Sequence, residues 1–275
     1  MPEGHVLHRA ARLQGRRFRD QRITACSPQG RFAAGAARLD GQTVTGIDAL
    51  GKHLFYRFDS GDVLHVHLGL FGRFRVRSLP APEPSPNARL VMETAADHLH
   101  LSGPTVCELL DPDAEDGLRA RLGPDPILEP ADGADRLVDR LSRRSISIGA
   151  ALLDQSVVAG IGNVYRSELL FLVGVHPLSV AKTLHEDTVR DLWTRSVDAL
   201  RDGERTGRIV TVDPDELGAR SPSDLRRGER LYVYKRTGDP CWRCGTAIRS
   251  ADADGRNVWW CPKCQQLSTE LVERG

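Results

Sequence analysis

Apolar positions along the chain change period twice, and each change predicts a different kind of element. Val6, Leu7, Ala10, Ala11 and Leu13 recur at helical spacing after Gly4, and Gly15 predicts the end of that first helix. Short alternating runs then occupy 18–25, 42–47, 53–58, 63–68, 73–77, 89–92, 98–101 and 105–109. Turn signals such as Asp59-Ser60-Gly61-Asp62 separate them, which predicts a β-sandwich or barrel. Pro80, Pro82, Pro84 and Pro86 predict an extended loop outside the strands. Residues 111–135 are acidic and rich in proline and glycine, as expected of a connection between domains. Helical periodicity returns around Leu137, Val138 and Leu141, and then over 146–155, 163–173 and 186–202. Thr183 and Glu186 fit a capping box for the last of these, with Val189, Leu192, Trp193 and Leu200 on its buried face. Residues 203–230 are polar and rich in helix breakers, which predicts a mobile loop.

A length of 275 residues accommodates two domains or one large one. No apolar run is long enough to span a bilayer, and the expectation is a cytoplasmic protein without a membrane partner. Net charge is +1, but it is unevenly spread. Residues 1–110 carry 14 basic against 10 acidic side chains, and residues 226–275 carry 10 against 6. The stretch between them carries 14 against 21, so two basic ends flank an acidic middle. A near-neutral total therefore does not exclude a phosphate-binding face.

Six cysteines sharpen the picture. Cys241, Cys244, Cys261 and Cys264 form C-x2-C-x16-C-x2-C, the spacing of a four-thiolate zinc site. The disulfide alternative requires an oxidising compartment. Cys26 and Cys107 stand alone and are expected as small buried hydrophobes. His65 with His67, and His98 with His100, would share strand faces at i, i+2. No cysteine or carboxylate cluster joins either pair, so half-exposed strand histidines are expected there rather than a second metal.

Met1-Pro2-Glu3-Gly4 offers chemistry of its own. Once Met1 is removed, Pro2 carries a free secondary amine with a carboxylate one residue away. An α-amino group titrates near neutrality and is a usable nucleophile there, and an amine attacking a sugar C1′ gives an iminium. Taken alone, the same residues read better as a tolerated proline and a solvated glutamate, because two-residue signals match by chance often.

The string from Ala151 to Phe171, ALLDQSVVAGIGNVYRSELLF, reads as helix, glycine-punctuated turn and second helix. It places backbone N–H groups where a DNA phosphate docks. This string resembles the helix–two-turn–helix of the formamidopyrimidine-DNA glycosylase/endonuclease VIII family. Pro2-Glu3 looks like that family's nucleophile and acid/base carboxylate, and Gly51-Lys52-His53-Leu54-Phe55 like its catalytic-domain lysine motif. Tyr232-Val233-Tyr234-Lys235-Arg236 resembles its approach to the zinc finger, within which Arg256 matches an arginine that grips DNA. His67-Leu68-Gly69 resembles the glycosylase branch, whereas Leu70-Phe71 and the opening Pro2-Glu3-Gly4 look more like the endonuclease VIII branch. His5-Val6 stands where the family often has Pro-Glu, so no role for a second glutamate carries over.

The resemblance implies an α+β multidomain chain. Residues 1–112 would form the catalytic β-sandwich with its N-terminal helix, and 113–135 a linker. Residues 136–230 would hold the helix–two-turn–helix, and 231–275 the zinc finger. It implies a bifunctional DNA glycosylase/AP lyase of base excision repair, acting on damaged DNA as a monomer at the nucleoid. Pro2 would attack, Glu3 would move the proton, and Lys52, Asn163 and Arg256 would contact phosphates. Leu70 and Phe71 would fill the gap left by the extruded nucleotide. One zinc would be structural, and oxidised pyrimidines would be favoured over 8-oxoguanine. Three alternatives stand beside this reading. One is an 8-oxoguanine- or formamidopyrimidine-preferring glycosylase. Another is a non-catalytic DNA-binding protein on the same scaffold, which would need neither Pro2 nor Glu3. The third is an RNA- or protein-binding zinc ribbon attached to a β domain, against which the helix–two-turn–helix string argues.

Overall fold

Helix α1 (Gly4–Phe18) runs beyond the glycine expected to end it. The computed structural model, which describes residues 2–253 and 255–267, shows the reason. Leu7, Ala11, Gln14 and Phe18 line the buried face of α1, so its last turn is held by a fully buried phenylalanine. A glycine inside a helix costs about 1 kcal/mol relative to alanine, less than the roughly 1.5–3 kcal/mol gained by burying such a side chain. Gln14 is itself satisfied, accepting from the Tyr56 hydroxyl.

Beyond α1 come β1 (Thr24–Cys26), α2 (Ala33–Leu39), β2 (Val44–Leu50), β3 (His53–Phe58), β4 (Val63–His67), β5 (Arg73–Ser78), β6 (Ala88–Glu93), β7 (Asp97–Ser102) and β8 (Val106–Leu110). They build two antiparallel sheets, ordered β2-β3-β4-β8 and β1-β6-β7-β5. Leu54, Tyr56 and Leu64 from the first sheet share one core with Met92, Leu99 and Leu101 from the second. This is the expected sandwich. The run expected as a strand over 18–25 contributes only its last residues to β1, because Phe18 belongs to the helix. Helix α2 was not expected, since Ala33-Ala34-Gly35-Ala36-Ala37 carries little hydrophobic contrast.

The acidic stretch expected as a linker over 113–135 is largely structured. Helix α3 (Pro112–Arg121) covers the outer face of the first sheet, and the chain's two units divide only after it, between Arg121 and Leu122. Glu115 accepts from Arg57 at 2.6 Å and from Arg119 at 2.7 Å, while Arg57 also reaches Asp48 at 3.1 Å. The Arg119 guanidinium sits 4.3 Å from the centre of the Phe55 ring. Composition alone marked this stretch as a connection; the Arg57 partner of Glu115 lies 58 residues earlier in the chain.

The second unit contains α4 (Gly133–Ser142), α5 (Ile148–Ala151), α6 (Asn163–Leu172), α7 (Glu186–Thr206) and the hairpin β9 (Arg249–Ala253) with β10 (Arg256–Trp260). Leu137, Leu141, Ile148, Leu169, Leu192 and Trp193 belong to its helical core. Helix α5 is shorter than expected because Gln155 closes the following turn, donating to Leu153 and Ile161 carbonyls and accepting from Gly160 N–H. His185, not Thr183, caps α7, its Nδ1 accepting from Asp187 N–H at 3.3 Å. Thr183 instead bonds the Val180 carbonyl within a one-turn 3-10 helix. Residues 203–206 complete α7, and the rest of the expected mobile loop is anchored by buried Val212 and Leu225 in a third core with Tyr232, Cys241 and Trp259.

Candidate nucleic-acid interface and metal centre

In the first unit the chain's beginning is built around a buried acid. Glu3 stands at the N-cap of α1 in extended conformation and is fully buried, so it is not the solvated residue that its position alone suggested. Pro2 is half-buried beside it. The N-terminal end of a helix favours negative charge, which makes this a fitting place for a working carboxylate or a bound phosphate.

Lys52 lies in the tight turn joining β2 to β3. Burial pushes the His53 imidazole down to about 3, with His65, His67 and Lys52 adding to the effect. His67, lowered by burial and then by Lys52, accepts from Gly69 N–H at 3.1 Å. His65 bridges His53 at 2.8 Å and Glu108 at 3.0 Å. The expected half-exposed strand histidines are thus mostly buried: His65, His98 and His100 are all core-facing or covered, and His98 is held by Glu93 at 2.7 Å. Neither isolated cysteine is fully buried as expected. Cys26 is exposed, and Cys107 is half-covered, its thiol pushed up to about 12 by its surroundings, chiefly burial.

Leu70 and Phe71 occupy the turn between β4 and β5, and Phe71 is 86% exposed. The turn requires glycine on both sides. At Gly69, with φ +62°, an added Cβ would meet the Thr105 hydroxyl at 1.8 Å, and at Gly72 it would meet the Leu68 carbonyl at 2.2 Å. A phenylalanine so exposed adds nothing to the core, so Phe71→Ala should leave the melting temperature within about 2 °C of wild type. If the side chain is a wedge, the same variant loses excision from duplex DNA; an unchanged excision rate removes it from the site.

In the second unit α6 is a hub. Nine of its ten residues are buried, including Asn163, Arg166, Ser167 and Glu168. Asn163 donates to the Asn257 carbonyl at 3.0 Å and accepts from Arg166. Arg166 also reaches the carbonyls of Asn257 at 3.1 Å and Gly149 at 3.3 Å. The turn and the finger hairpin are therefore stitched together through one guanidinium. Arg256, at the start of β10, is exposed and makes no side-chain hydrogen bond or ion pair among the described residues.

Glu168 is fully buried and accepts from three consecutive backbone N–H groups, Tyr232 at 2.7 Å, Val233 at 2.9 Å and Tyr234 at 2.7 Å, and from Thr211. Burial still holds its carboxyl above the ordinary carboxylate range. Glu168→Ala would strand two buried donors and one part-buried donor, each buried one costing on the order of 1–3 kcal/mol, so a loss of about 3 kcal/mol is expected in urea unfolding. Neither Arg166 nor Glu168 emerged as a site residue from the sequence. The available signal was two charged residues, two positions apart, in a helix whose remaining residues are mostly apolar.

The four cysteines converge as their spacing predicts. Their Sγ atoms all lie within 4.8 Å of one another, with Cys241–Cys264 at 3.9 Å and Cys244–Cys261 at 3.4 Å. A tetrahedral Zn–S4 centre with bonds of about 2.3 Å needs S···S separations of roughly 3.8 Å. Cys241 and Cys261 are buried in the third core, so the residues fit a closed structural zinc site. No other cluster of this kind occurs among the described residues.

A β-sandwich opening on a proline–glutamate pair, joined to a helix–two-turn–helix unit with a four-thiolate zinc finger, defines a class of DNA-repair proteins. Residues 1–106 match the formamidopyrimidine-DNA glycosylase N-terminal domain, 122–213 its H2TH domain, and 238–267 the zinc finger found in FPG and IleRS. The chain belongs to the formamidopyrimidine-DNA glycosylase/endonuclease VIII family. It is 44% identical over 269 residues to Endonuclease 8 1 of Mycobacterium bovis, covering 96% of this chain and all of the relative. It is 35% identical over 274 residues to the DNA-(apurinic or apyrimidinic site) lyase Nei2 of Mycolicibacterium smegmatis, covering 98% of this chain and all of that one. Among solved structures, a Lactococcus lactis Fpg in complex with DNA containing an abasic site superposes with a TM-score of 0.78. The two are 27% identical, over 96% of this chain and 99% of that one.

Proposed function

We propose that this family member, a DNA glycosylase/AP lyase of base excision repair, works through the amine of Pro2 and favours oxidised pyrimidines and abasic sites over 8-oxoguanine paired with cytosine. The observation that supports the chemistry best is the pairing at the chain's start: Pro2 half-buried beside a fully buried Glu3 at a helix N-terminus. With Met1 removed, the Pro2 nitrogen attacks C1′ of the extruded nucleotide. Its N–C bond forms, the glycosidic bond breaks, and the base leaves with the electron pair and a proton. The base's proton comes from the proline N–H. Glu3 then protonates the sugar-ring oxygen O4′, the C1′–O4′ bond breaks with its electron pair going to that oxygen, and the nitrogen lone pair closes the C1′=N+ bond. The resulting iminium acidifies the C2′ hydrogen, whose removal expels the 3′ phosphate, and a second elimination can follow at the 5′ side. Zinc takes no part in these steps, because four thiolates leave no open position for water.

Lys52, Asn163 and Arg256 serve as phosphate contacts in this reading, and Leu70 and Phe71 as the wedge. Asn163 holds Asn257 with its amide, so its contribution runs through the backbone of the α6 start as well as the side chain. Arg256, exposed and without a protein partner among the described residues, is suited to reach a phosphate directly. Arg256→Ala should keep zinc, weaken DNA binding, and make the slope of log affinity against log salt shallower by about 1. An unchanged slope takes Arg256 out of the interface. The chain would act as a monomer at the nucleoid.

The lesion preference follows from the exposed Leu70-Phe71 pair and the Pro2-Glu3-Gly4 opening, and a substrate panel tests it. Thymine glycol and plain abasic sites should be processed faster than 8-oxoguanine opposite cytosine. The reverse order would overturn the preference while leaving the lyase chemistry in place.

A further inference from the structure

A groove of about 740 Å³ runs along α1 in the first unit, reaching from Pro2 to Arg17, with β5 as its opposite wall. Its apolar surface comes from Val6, Ala10 and Leu13 on the helix and from Phe74 and Val76 on the strand. These α1 positions belong to the apolar repeat that predicted the helix, and the fold covers them only in part: Val6 and Ala10 are half-buried against the first core, and Leu13 is exposed. Around this floor stand Arg9, Arg16, Arg17 and Arg73, and no acidic side chain lines the groove. Arg17 is tied to Ser78 at 3.2 Å and to Asp97 at 3.5 Å, closing one end. The guanidinium groups of Arg16 and Arg73 have no hydrogen-bond or ion-pair partner among the described residues.

The strand wall matters as much as the charge. β5 is the terminal strand of its sheet and pairs only with β7. Between Arg73 and Ser78, no main-chain group on the other side has a backbone partner among the described residues. An open edge of this kind can accept one more strand, with main-chain hydrogen bonds giving affinity and side-chain pockets giving selectivity. Charged residues commonly guard such edges, and Arg73, Arg75 and Arg77 do so here. They also choose the partner: a second copy would bring three arginines against three, whereas an acidic segment meets complementary charge. A nucleic acid is acidic too, but single strands bind by stacking bases on aromatic side chains, and this floor is aliphatic apart from the half-buried Phe74.

We propose that the groove between α1 and β5 docks an acidic, amphipathic segment of a partner protein, which binds extended and adds a strand to the free edge of β5. Alternate side chains of that segment lie on the apolar floor, and its carboxylates meet Arg16 and Arg73. The groove's size falls within the roughly 300–1,000 Å³ that enclosed ligands occupy, which suits a segment of a few residues.

The test uses the full zinc-loaded chain and a fluorescein-labelled short peptide alternating aspartate with valine and leucine, read by anisotropy. Saturable binding is expected, and a lysine-for-aspartate peptide should not bind. Methylating the peptide's alternate backbone nitrogens should abolish binding without changing its charge. Arg16→Glu with Arg73→Glu should weaken binding by roughly tenfold or more, with folding checked by thermal melting. Because the methylated peptide is tested on the unaltered protein, the outcome does not depend on that double variant folding. Absence of saturable binding, indifference to N-methylation, or an equal loss of oligothymidylate binding in the Arg16→Glu, Arg73→Glu variant would each overturn the proposal, the last because it would show nucleic acid on the same two arginines. No lesion enters the assay, so its result is independent of the lyase reading.

Discussion

A chain with an uncleavable extension before Pro2 should bind abasic DNA with near-native affinity yet fail to nick it or to crosslink to it under borohydride. An extension turns the secondary amine into an amide whose lone pair is delocalised over the carbonyl. The extension leaves the side chains of Lys52, of the Leu70-Phe71 turn and of the zinc module unaltered, since all lie at other positions in the chain. Loss of a covalent intermediate removes the whole lyase pathway, so the expected fall in cleavage is at least about a thousandfold, the scale seen when a nucleophile is deleted from an enzyme that keeps its binding surface. Glu3→Gln should differ, losing base excision while keeping part of the cleavage at preformed abasic sites, because the amine remains. Peptide mapping of the crosslink decides between nucleophiles. Trapping on Lys52, or native nicking by the extended chain, would falsify the N-terminal mechanism.

Cys244→Ser, or removal of zinc by a chelator, should abolish DNA binding and loosen the third core together. Structural zinc in four-thiolate modules contributes on the order of 10–16 kcal/mol of apparent binding energy that is also folding energy. Here the thiolates are part of the packing: Cys241 and Cys261 share a core with Phe171, Tyr232, Val233 and Trp259. Asn163 is hydrogen-bonded to the carbonyl of Asn257 in the same finger, so metal loss removes the α6 start's support as well as Arg256. The helical core around Leu169, Leu192 and Trp193 holds no cysteine and should persist, visible as retained helical circular dichroism. Stoichiometric zinc loss with unchanged DNA affinity would show that the metal does not organise the interface.

Much of this arrangement was legible in the residues. The alternating runs located β3 to β8 closely, because strands covered on one face must alternate. The cysteine spacing located the metal site because local knuckles determine it. What stayed hidden was held by partners distant in sequence. Helix α3 read as linker because Arg57, which neutralises Glu115, lies fifty-eight positions away. Thr183-to-Glu186 matched a capping pattern, but Val180 claimed the threonine hydroxyl and His185 took the cap. The roles of Arg166 and Glu168 depend on carbonyls and N–H groups some sixty to ninety residues downstream, and periodicity carries no trace of them. In the candidate site, motif resemblance supplied residue identities, while the full burial of Glu3 came only from the fold.

The Glu168 clamp has a consequence for how such a protein can diversify. Its carboxylate holds the loop's two ends, Thr211 on one side and Tyr232 to Tyr234 on the other. The residues between are pinned at their margins by a group that makes no demand on the intervening sequence beyond the buried Val212 and Leu225. A lineage can therefore lengthen, shorten or rewrite that span and keep both anchorages in register with the metal knuckle. Such a socket lets one scaffold take on a rewritten surface span without re-solving its own folding problem.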